Sequence, residues 1–156
     1  MIDIRRPTIA DGADVWRVAT RAGSLDVNSS YSYLLWCRDF AATSTIARRG
    51  AEPMGFVTGY LRPDAPDTLV VWQVAVVPEA RGERAGARML AELVDRVGPG
   101  FLEATVTPDN EPSRRLFGSL ARDRDAAITF SPLFASADFP EAHEPEELLR
   151  IGPFDA

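Results

Sequence analysis

VVWQVAVV, at residues 70–77, is followed directly by PEARGERAGARML, at residues 78–90. The first segment is almost entirely apolar and β-branched, which predicts a central strand buried on both faces and ended by Pro78. Small residues and arginines then lead into a helix with apolar periodicity. The unpaired N–H groups and positive dipole end of a helix N-terminus favour a bound phosphate. The alternative is an ordinary turn whose arginines face solvent, and the pattern by itself leaves both interpretations open.

Composition indicates a globular protein without an overall basic field. The chain has 156 residues, 46% of them hydrophobic, and we expect one domain covering residues 1–156. Its formal net charge of −6 argues against nucleic acid as a partner. The charged start, MIDIRRP, lacks the apolar run of a signal peptide, and the apolar stretch at 69–77 is too short to span a bilayer. We therefore expect a cytoplasmic protein that does not bind membranes.

Cysteine and histidine are too scarce for disulfide or zinc chemistry. Cys37 is the single cysteine, so no intrachain disulfide can form, and its place beside Trp36 in a helical pattern favours inert packing. With His143 as the single histidine, no zinc-type ligand spacing exists. We expect no metal cofactor.

Hydrophobic periodicity and turn residues predict an α/β layer structure around a mixed sheet, in the order β-α-α-β-β-β-α-β-α-β-β. The predicted strands are 2–6, 43–48, 54–61, 68–77, 101–106, 127–130 and 148–151. The predicted helices start after Thr8 and continue through Ala19, then cover 31–40, 85–97 and 110–120. Residues 62–67 are predicted to form a turn and 131–147 a loop.

This order, with a phosphate-type loop after the central strand, resembles the GNAT superfamily of N-acetyltransferases. The superfamily's loop has Gln or Arg, two variable residues, Gly, one variable residue, then Gly or Ala. Here the three defined positions are Arg81, Arg84 and Gly86, so an arginine stands where the first glycine is usual. The resemblance implies a GNAT fold: a mixed, mostly antiparallel sheet flanked by about four helices.

Four segments resemble a narrower group, the L-2,4-diaminobutyrate acetyltransferases of ectoine (compatible-solute) biosynthesis. They are LDVNSSYSYLLWCRDF at 25–40, VWQVAV at 71–76, LEATVTPDN at 102–110 and HEPEELL at 143–149. That resemblance implies transfer of acetyl from acetyl-CoA to the 4-amino group of diaminobutyrate, by a homodimer.

The resemblance also implies a cofactor site along the central strand. The backbones of Val74 and Val76 would pair with the pantetheine arm, and a backbone N–H from Gln73 or Val74 would polarise the thioester. The loop and the following helix start would hold the pyrophosphate. The loop residues are Arg81, Gly82, Arg84 and Gly86, and Asn110 either bonds the pantetheine arm or caps its own helix.

By the same resemblance, the substrate pocket contains Asp26, Tyr31, Trp72, His143 and Glu146. Carboxylates suit the two ammonium groups of a diamine, and aromatic side chains can wall its pocket. Without the resemblance, Asp26 is a loop or cap residue, and Tyr31 and Trp72 are core aromatics. His143 is then a surface histidine, and Glu146 belongs to a solvated acidic run.

The sequence leaves open which residues act as the general base and the general acid. Glu146 could take the amine proton directly or through water, whereas an imidazole such as that of His143 ordinarily titrates closer to neutrality. The usual GNAT general acid is a tyrosine on the helix after the next strand, where this chain has Phe117. Tyr31 or Tyr33 could replace it, or the thiolate could leave unassisted.

Two other functions fit the sequence less well. One is a GNAT that acetylates another small amine or a peptide N-terminus. The other is a non-catalytic acyl-CoA-binding module. Phe117 and Arg84 favour it, because both residues depart from the superfamily's pattern.

Overall fold

The computed structural model describes residues 1–155. Its strands are β1 (Asp3–Arg5), β2 (Thr45–Arg49), β3 (Glu52–Arg62), β4 (Ala65–Val76), β5 (Phe101–Val106), β6 (Ile128–Phe134) and β7 (Glu146–Ile151). Its α-helices are α1 (Gly12–Ala22), α2 (Ser30–Asp39), α3 (Ala85–Val97) and α4 (Glu111–Asp123). Short 3₁₀ turns lie at Ile9–Asp11, Ala41–Thr43, Pro78–Ala80 and Ser136–Asp138. None of the helices within residues 1–155 has the length and apolar character needed to cross a bilayer.

The strands form one seven-stranded sheet in the order β1-β2-β3-β4-β5-β7-β6. Every neighbouring pair is antiparallel except β4 and β5, which are parallel. This sheet confirms the mixed, mostly antiparallel arrangement that the resemblance implied. The element order also agrees with the prediction, and α3 and β5 have the predicted bounds.

β4 and β5 diverge in the middle of the sheet. Their ladder contains three pairs, from Thr68–Phe101 to Val70–Glu103, although β4 continues to Val76. The strands therefore run together at one end and separate towards the other. The gap opens beside the carboxyl end of β4, where parallel strands commonly place a ligand site.

Helices cover both faces of the sheet. A Cβ at Gly55 of β3 would lie 2.9 Å from the Met89 side chain of α3. The next residue, Phe56, packs its ring edge-on against Tyr33 of α2, with centroids 5.9 Å apart. Since neighbouring residues of a strand face opposite ways, α2 and α3 lie on opposite faces. α4 lies beside α3, because a Cβ at Gly86 would be 3.4 Å from its Leu116.

The prediction was wrong about the ends of several elements. β4 already begins at Ala65, inside the segment predicted as a turn. β6 continues to Phe134 and β7 starts at Glu146, so the predicted loop at 131–147 is shorter. Pro132 suggested a loop, but β6 is the last strand of the sheet, and an edge strand tolerates a missing N–H donor.

The prediction that β4 is buried on both faces was also wrong. Leu69, Val71 and Ala75 are at most 4% exposed, but Trp72 is 45% exposed. An apolar, β-branched sequence favours burial without saying what covers the strand. Here α2 covers the Trp72 side of β4 only in part, since Trp72 stacks on Trp36 and is still 45% exposed.

Candidate active site

A cleft of about 280 Å³ occupies the gap between β4 and β5. Its walls come from both strands, from the first turns of α4, from Gly86 of α3 and from the loop between α1 and α2. Gln73, Val74 and Val76 of the predicted cofactor set line it, as does Trp72 of the predicted substrate set.

The backbone of β4 presents hydrogen-bonding groups to this cleft. The N–H of Val77, just after β4, donates to the Met54 carbonyl oxygen of β3 at 2.9 Å. Because strand backbone groups alternate in direction, the N–H and C=O groups of Val74 and Val76 point away from β3, towards the gap. They can pair with an extended ligand. By the same alternation, the Gln73 N–H points towards β3.

The loop after β4 forms a second hollow that continues the cleft, and the two share Val76, Gly86, Pro112 and Leu116. Arg81, Gly82 and Arg84 line the hollow together with the first residues of α3. A Cβ at Gly82, whose φ is +92°, would meet no atom within 4 Å. The α3 N-terminus and this open backbone suit an anion.

The arginine side chains of the loop contact protein groups. Arg81 Nη2 donates to the Ala22 carbonyl oxygen at 2.7 Å, at the C-terminal end of α1. The Arg84 guanidinium lies 3.8 Å from the Asp123 carboxylate, and both side chains are largely exposed. Arg84 has φ +59° and ψ 29°, the left-handed conformation that glycine adopts without a steric penalty. The loop therefore keeps the backbone shape of a glycine although it carries an arginine.

A β-bulge positions Trp72 beside α2. Thr58 pairs with Gln73 and Gly59 with Val71, so Trp72 is the extra residue of β4. Its ring stacks on Trp36 of α2 with centroids 4.9 Å apart. The bulge directs both Trp72 and Gln73 towards α2, whereas a regular strand would direct them to opposite faces.

A polar network joins α2, β4 and the loop between α1 and α2. The hydroxyl of Tyr33, which is fully buried, donates to Gln73 Oε1 at 2.9 Å. The Asn28 N–H donates to the same hydroxyl at 3.3 Å. Gln73 Nε2 in turn donates to the Asp26 carbonyl oxygen at 2.9 Å. The side chain of Gln73 thus fixes the main chain of Asp26, directly after the cleft residues Ser24 and Leu25.

The predicted substrate residues other than Trp72, including Asp26, are not among the residues that line the cleft. Tyr31, in the first turn of α2, is 67% exposed. His143 stacks on Phe139 with ring centroids 3.8 Å apart, and its Nδ1 lies 2.5 Å from the Glu144 carbonyl oxygen. Since a carbonyl oxygen can only accept, Nδ1 carries the proton and Nε2 is the free acceptor of a neutral ring. Glu146 begins β7 and pairs with Phe134 of β6.

The start of α4 closes the other side of the cleft. Asn110 is the N-cap, since its Oδ1 accepts from the Ser113 N–H at 3.2 Å, and it also lines the cleft. The two roles considered for it are therefore compatible. Phe117 also lines the cleft and is 3% exposed, so the position of the usual tyrosine carries no hydroxyl.

Several cleft residues were not singled out from the sequence. They are Ser24 and Leu25 in the loop before α2, and Ala104, Thr105 and Val106 on β5. The β5 residues belong to an ordinary strand pattern, and only its divergence from β4 exposes them. No local sequence signal marks that divergence.

Cys37 lies on α2 and is 4% exposed. Burial, followed by the charge of Asp11, raises the pKa of its thiol to about 11. A thiol in this state is a poor nucleophile, which agrees with the expectation of inert packing.

The chain matches the model of the acetyltransferase (GNAT) family over residues 13–121. It is 54% identical to the L-2,4-diaminobutyric acid acetyltransferase of Streptomyces coelicolor, over 99% of this chain and 95% of that protein. It is 48% identical to the enzyme of the same name from Nocardia farcinica, over 96% of this chain and 79% of that protein.

Solved structures agree with these matches. Diaminobutyrate acetyltransferase EctA from Paenibacillus lautus, in complex with its substrate L-2,4-diaminobutyric acid and coenzyme A, is 37% identical, with a TM-score of 0.94 over 100% of this chain and 97% of that chain. The ribosomal-protein-S18-alanine N-acetyltransferase of Escherichia coli is 16% identical, with a TM-score of 0.70 over 100% and 96% of the two chains. That second likeness concerns the fold alone.

Proposed function

This chain belongs to the L-2,4-diaminobutyric acid acetyltransferases of the GNAT family, and we propose on that basis that it acetylates the 4-amino group of L-2,4-diaminobutyrate. The acetyl donor is acetyl-CoA, and the reaction belongs to ectoine biosynthesis. The observation that carries the proposal is the cleft between β4 and β5, which continues into the hollow at the α3 N-terminus. Its shape suits a long cofactor with a thioester at one end and phosphates at the other.

The cofactor would lie along β4. The backbones of Val74 and Val76 face the gap and would pair with the pantetheine arm, and the side-chain amide of Asn110 could add a further hydrogen bond. The loop residues Arg81, Gly82, Arg84 and Gly86 would surround the pyrophosphate. The open backbone at Gly82 supports this placement.

Acetyl transfer needs a donor for the charge that develops on the thioester oxygen. Gln73 and Val74 are the two backbone candidates. Because the Val74 N–H faces the gap and the Gln73 N–H faces β3, the Val74 N–H is the better placed. The Gln73 side chain has a different role, since it anchors the loop at Asp26.

The diamine would lie at the open end of the cleft, against Trp72. We assign Asp26, Tyr31, His143 and Glu146 to the same pocket, where the carboxylates would hold ammonium groups. The anchoring of Asp26 through Gln73 supports this assignment, as does the stacking of Trp72 on α2.

The amine must lose a proton before its nitrogen attacks the thioester carbon and the C–S bond breaks. Glu146 and His143 are both candidates for the base, His143 through Nε2. For the thiolate, Phe117 has no proton to give, and the Tyr33 proton is already donated to Gln73. Tyr31 remains as a donor, or the thiolate leaves unassisted.

Release of free thiol from acetyl-CoA, measured with a panel of amines, tests the function. We expect turnover with 2,4-diaminobutyrate and much less with peptide N-termini, and no thiol release from folded protein would overturn the proposal. Asp26→Asn and Glu146→Gln should each lower kcat/KM for diaminobutyrate at least tenfold. Glu144→Gln is a matched control, because Glu144 is exposed, lies two residues before Glu146 and is assigned no role.

The pH dependence identifies the base. If Glu146 is the base, Glu146→Gln should lower kcat by about 100-fold and abolish the acidic limb of its pH profile, whereas His143→Asn should leave that limb in place. The reverse pattern would assign the base to His143.

We also propose that the protein is a cytoplasmic, single-domain homodimer. The edge strand β6 exposes Phe130, Leu133 and Phe134 by 40 to 46%, which supports association at that edge. Light scattering after gel filtration should give twice the mass of one chain.

A further inference from the structure

The Arg81 side chain joins the loop after β4 to the C-terminal end of α1. Its Nη2 donates to the Ala22 carbonyl oxygen at 2.7 Å. Ala22 is the last residue of α1, and the last four carbonyl groups of a helix have no partner within the helix. A guanidinium at this end also complements the negative end of the helix dipole. The contact therefore suits Arg81 to hold the end of α1 in place relative to the loop.

A second contact joins the same two segments. Arg21, one residue before Ala22, forms an ion pair with Glu79 of the 3₁₀ turn that follows β4. The two side chains are 43% and 55% exposed, so this pair by itself contributes little to stability. It shows, however, that the end of α1 and the loop after β4 are direct neighbours.

The backbone of Arg81 already has a partner within its own loop. Its N–H donates to the Pro78 carbonyl oxygen at 3.3 Å, so this N–H is not free for a phosphate. The unpaired N–H groups at the start of α3, after Arg84, remain for a pyrophosphate. Both the N–H and the Nη2 of Arg81 are thus engaged by protein carbonyl groups.

The segment that follows α1 is held at two points. Ser24 and Leu25 in this segment line the cleft. The next residue is Asp26, whose carbonyl oxygen accepts from Gln73 Nε2 at 2.9 Å. Four residues span at most about 14 Å. A segment of that length, with the Arg81 contact at one end and the Gln73 contact at the other, has few conformations left.

We propose that Arg81 is a positioning residue for the diamine: its guanidinium fixes residues 22–26 beside the cleft and does not bind the pyrophosphate as a cation. Without this contact the diamine would have to order the segment as it binds, which weakens binding. The proposal rests on the proposed function, because the segment leads into Asp26, which we assign to the diamine pocket. Loss of the guanidinium should therefore affect the diamine and not acetyl-CoA.

Two variants of Arg81, an exposed residue, test the proposal. Arg81→Ala should raise the KM for 2,4-diaminobutyrate about three- to tenfold, the range for one partly exposed hydrogen bond. It should leave the KM for acetyl-CoA unchanged. Arg81→Gln keeps an N–H donor without the charge, so it should raise the KM for the diamine less than Arg81→Ala does. Isothermal titration calorimetry should give the wild-type affinity for acetyl-CoA in both variants.

Arg21→Gln is the matched control, because it removes an exposed arginine from the same junction but no hydrogen bond to the main chain. It should leave both KM values unchanged. Weaker acetyl-CoA binding in both Arg81 variants, with an unchanged KM for the diamine, would show that the guanidinium binds the pyrophosphate and would overturn the proposal. Equal losses for both substrates would also overturn it, because they would show that Arg81 only stabilises the fold.

The two parts of the experiment fail separately. The titration with acetyl-CoA needs no turnover, so it tests the Arg81 assignment even if the wild-type protein does not acetylate 2,4-diaminobutyrate. That last result would overturn the proposed function. Loss of acetyl-CoA affinity in the Arg81 variants of an active enzyme would overturn the positioning role alone.

Discussion

Replacing Arg84 by glycine should both stabilise the fold and strengthen acetyl-CoA binding. Arg84 and Asp125 are the two non-glycine residues with positive φ in residues 1–155. A left-handed residue with a Cβ costs about 1 to 2 kcal/mol. The gain on removing it is offset by about 0.4 to 1 kcal/mol of added freedom in the unfolded chain.

Loss of the ion pair between Arg84 and Asp123 reduces the expected stabilisation only a little further. Arg84 and Asp123 are 69% and 62% exposed and 3.8 Å apart, so their interaction contributes at most about 0.5 kcal/mol. The net stabilisation is then about 0.5 kcal/mol, or about 1 to 2 °C in Tm for a chain of this size. Thermal unfolding without ligand measures this part.

For the cofactor, glycine allows the loop backbone to approach the pyrophosphate. One hydrogen bond to a charged group is worth about 1.5 to 3 kcal/mol, and the loss of an exposed charge costs up to about 1 kcal/mol. The balance of about 1 kcal/mol predicts roughly fivefold tighter binding of acetyl-CoA. Isothermal titration calorimetry measures it.

Two matched variants separate the causes. Arg84→Ala removes the charge but keeps the Cβ and the left-handed backbone, so it should bind acetyl-CoA no tighter than the wild type. Asp125→Gly changes the other positive-φ residue, which does not line the cleft or the hollow. It should leave acetyl-CoA affinity unchanged and raise Tm less, because aspartate tolerates this conformation better. Weaker acetyl-CoA binding by Arg84→Gly, or a lower Tm, would refute the reasoning.

Three further predictions concern buried groups. Tyr33→Phe leaves Gln73 Oε1 without its donor, so it should destabilise the fold by about 1 to 2 kcal/mol. It should also raise the KM for the diamine more than the KM for acetyl-CoA. An equal rise in both KM values would contradict the anchoring role. Cys37 should react with a disulfide reagent at pH 8 only as fast as the protein unfolds, because its thiol pKa is about 11; rapid labelling of native protein would contradict its burial. Asp11→Asn should lower the free energy of unfolding, measured by chemical denaturation at pH 7, by about 3 kcal/mol. This difference from the wild type should shrink towards pH 3. A difference that does not change with pH would argue against the ion pairs as its source.

The pH dependence of Asp11 follows from its contacts. Burial by itself would raise the pKa of this carboxyl, but hydrogen bonds from Arg5, the Thr8 N–H and Arg48 lower it well below its ordinary value. Arg5 and Arg48 lie 2.9 and 2.6 Å from its oxygens. A carboxyl whose pKa is lower in the folded state stabilises the fold fully above the unfolded pKa, about 4. That stabilisation is lost as the pH falls below this value.

Sequence alone determined the element order and the fold class. α3 could be predicted with its bounds because apolar periodicity defines its face and a glycine-proline-glycine sequence ends it. The phosphate loop could be predicted because a strand, small residues and a helix start follow one another in the chain. The substrate class came from four segments that resemble one enzyme family, and the comparisons confirmed it.

Tertiary structure decided what those segments expose. The divergence of β5 from β4 beyond Val70 opens the cleft, and it depends on which strands are neighbours, which no local pattern specifies. The bulge at Trp72 depends on the register with β3 and turns two neighbouring side chains to one face. In the sequence Arg81 is one arginine of a phosphate-type loop, and only the fold places its guanidinium against the last carbonyl group of α1. Such features arise from pairing between residues distant in the chain, whereas local propensity and periodicity describe only neighbours.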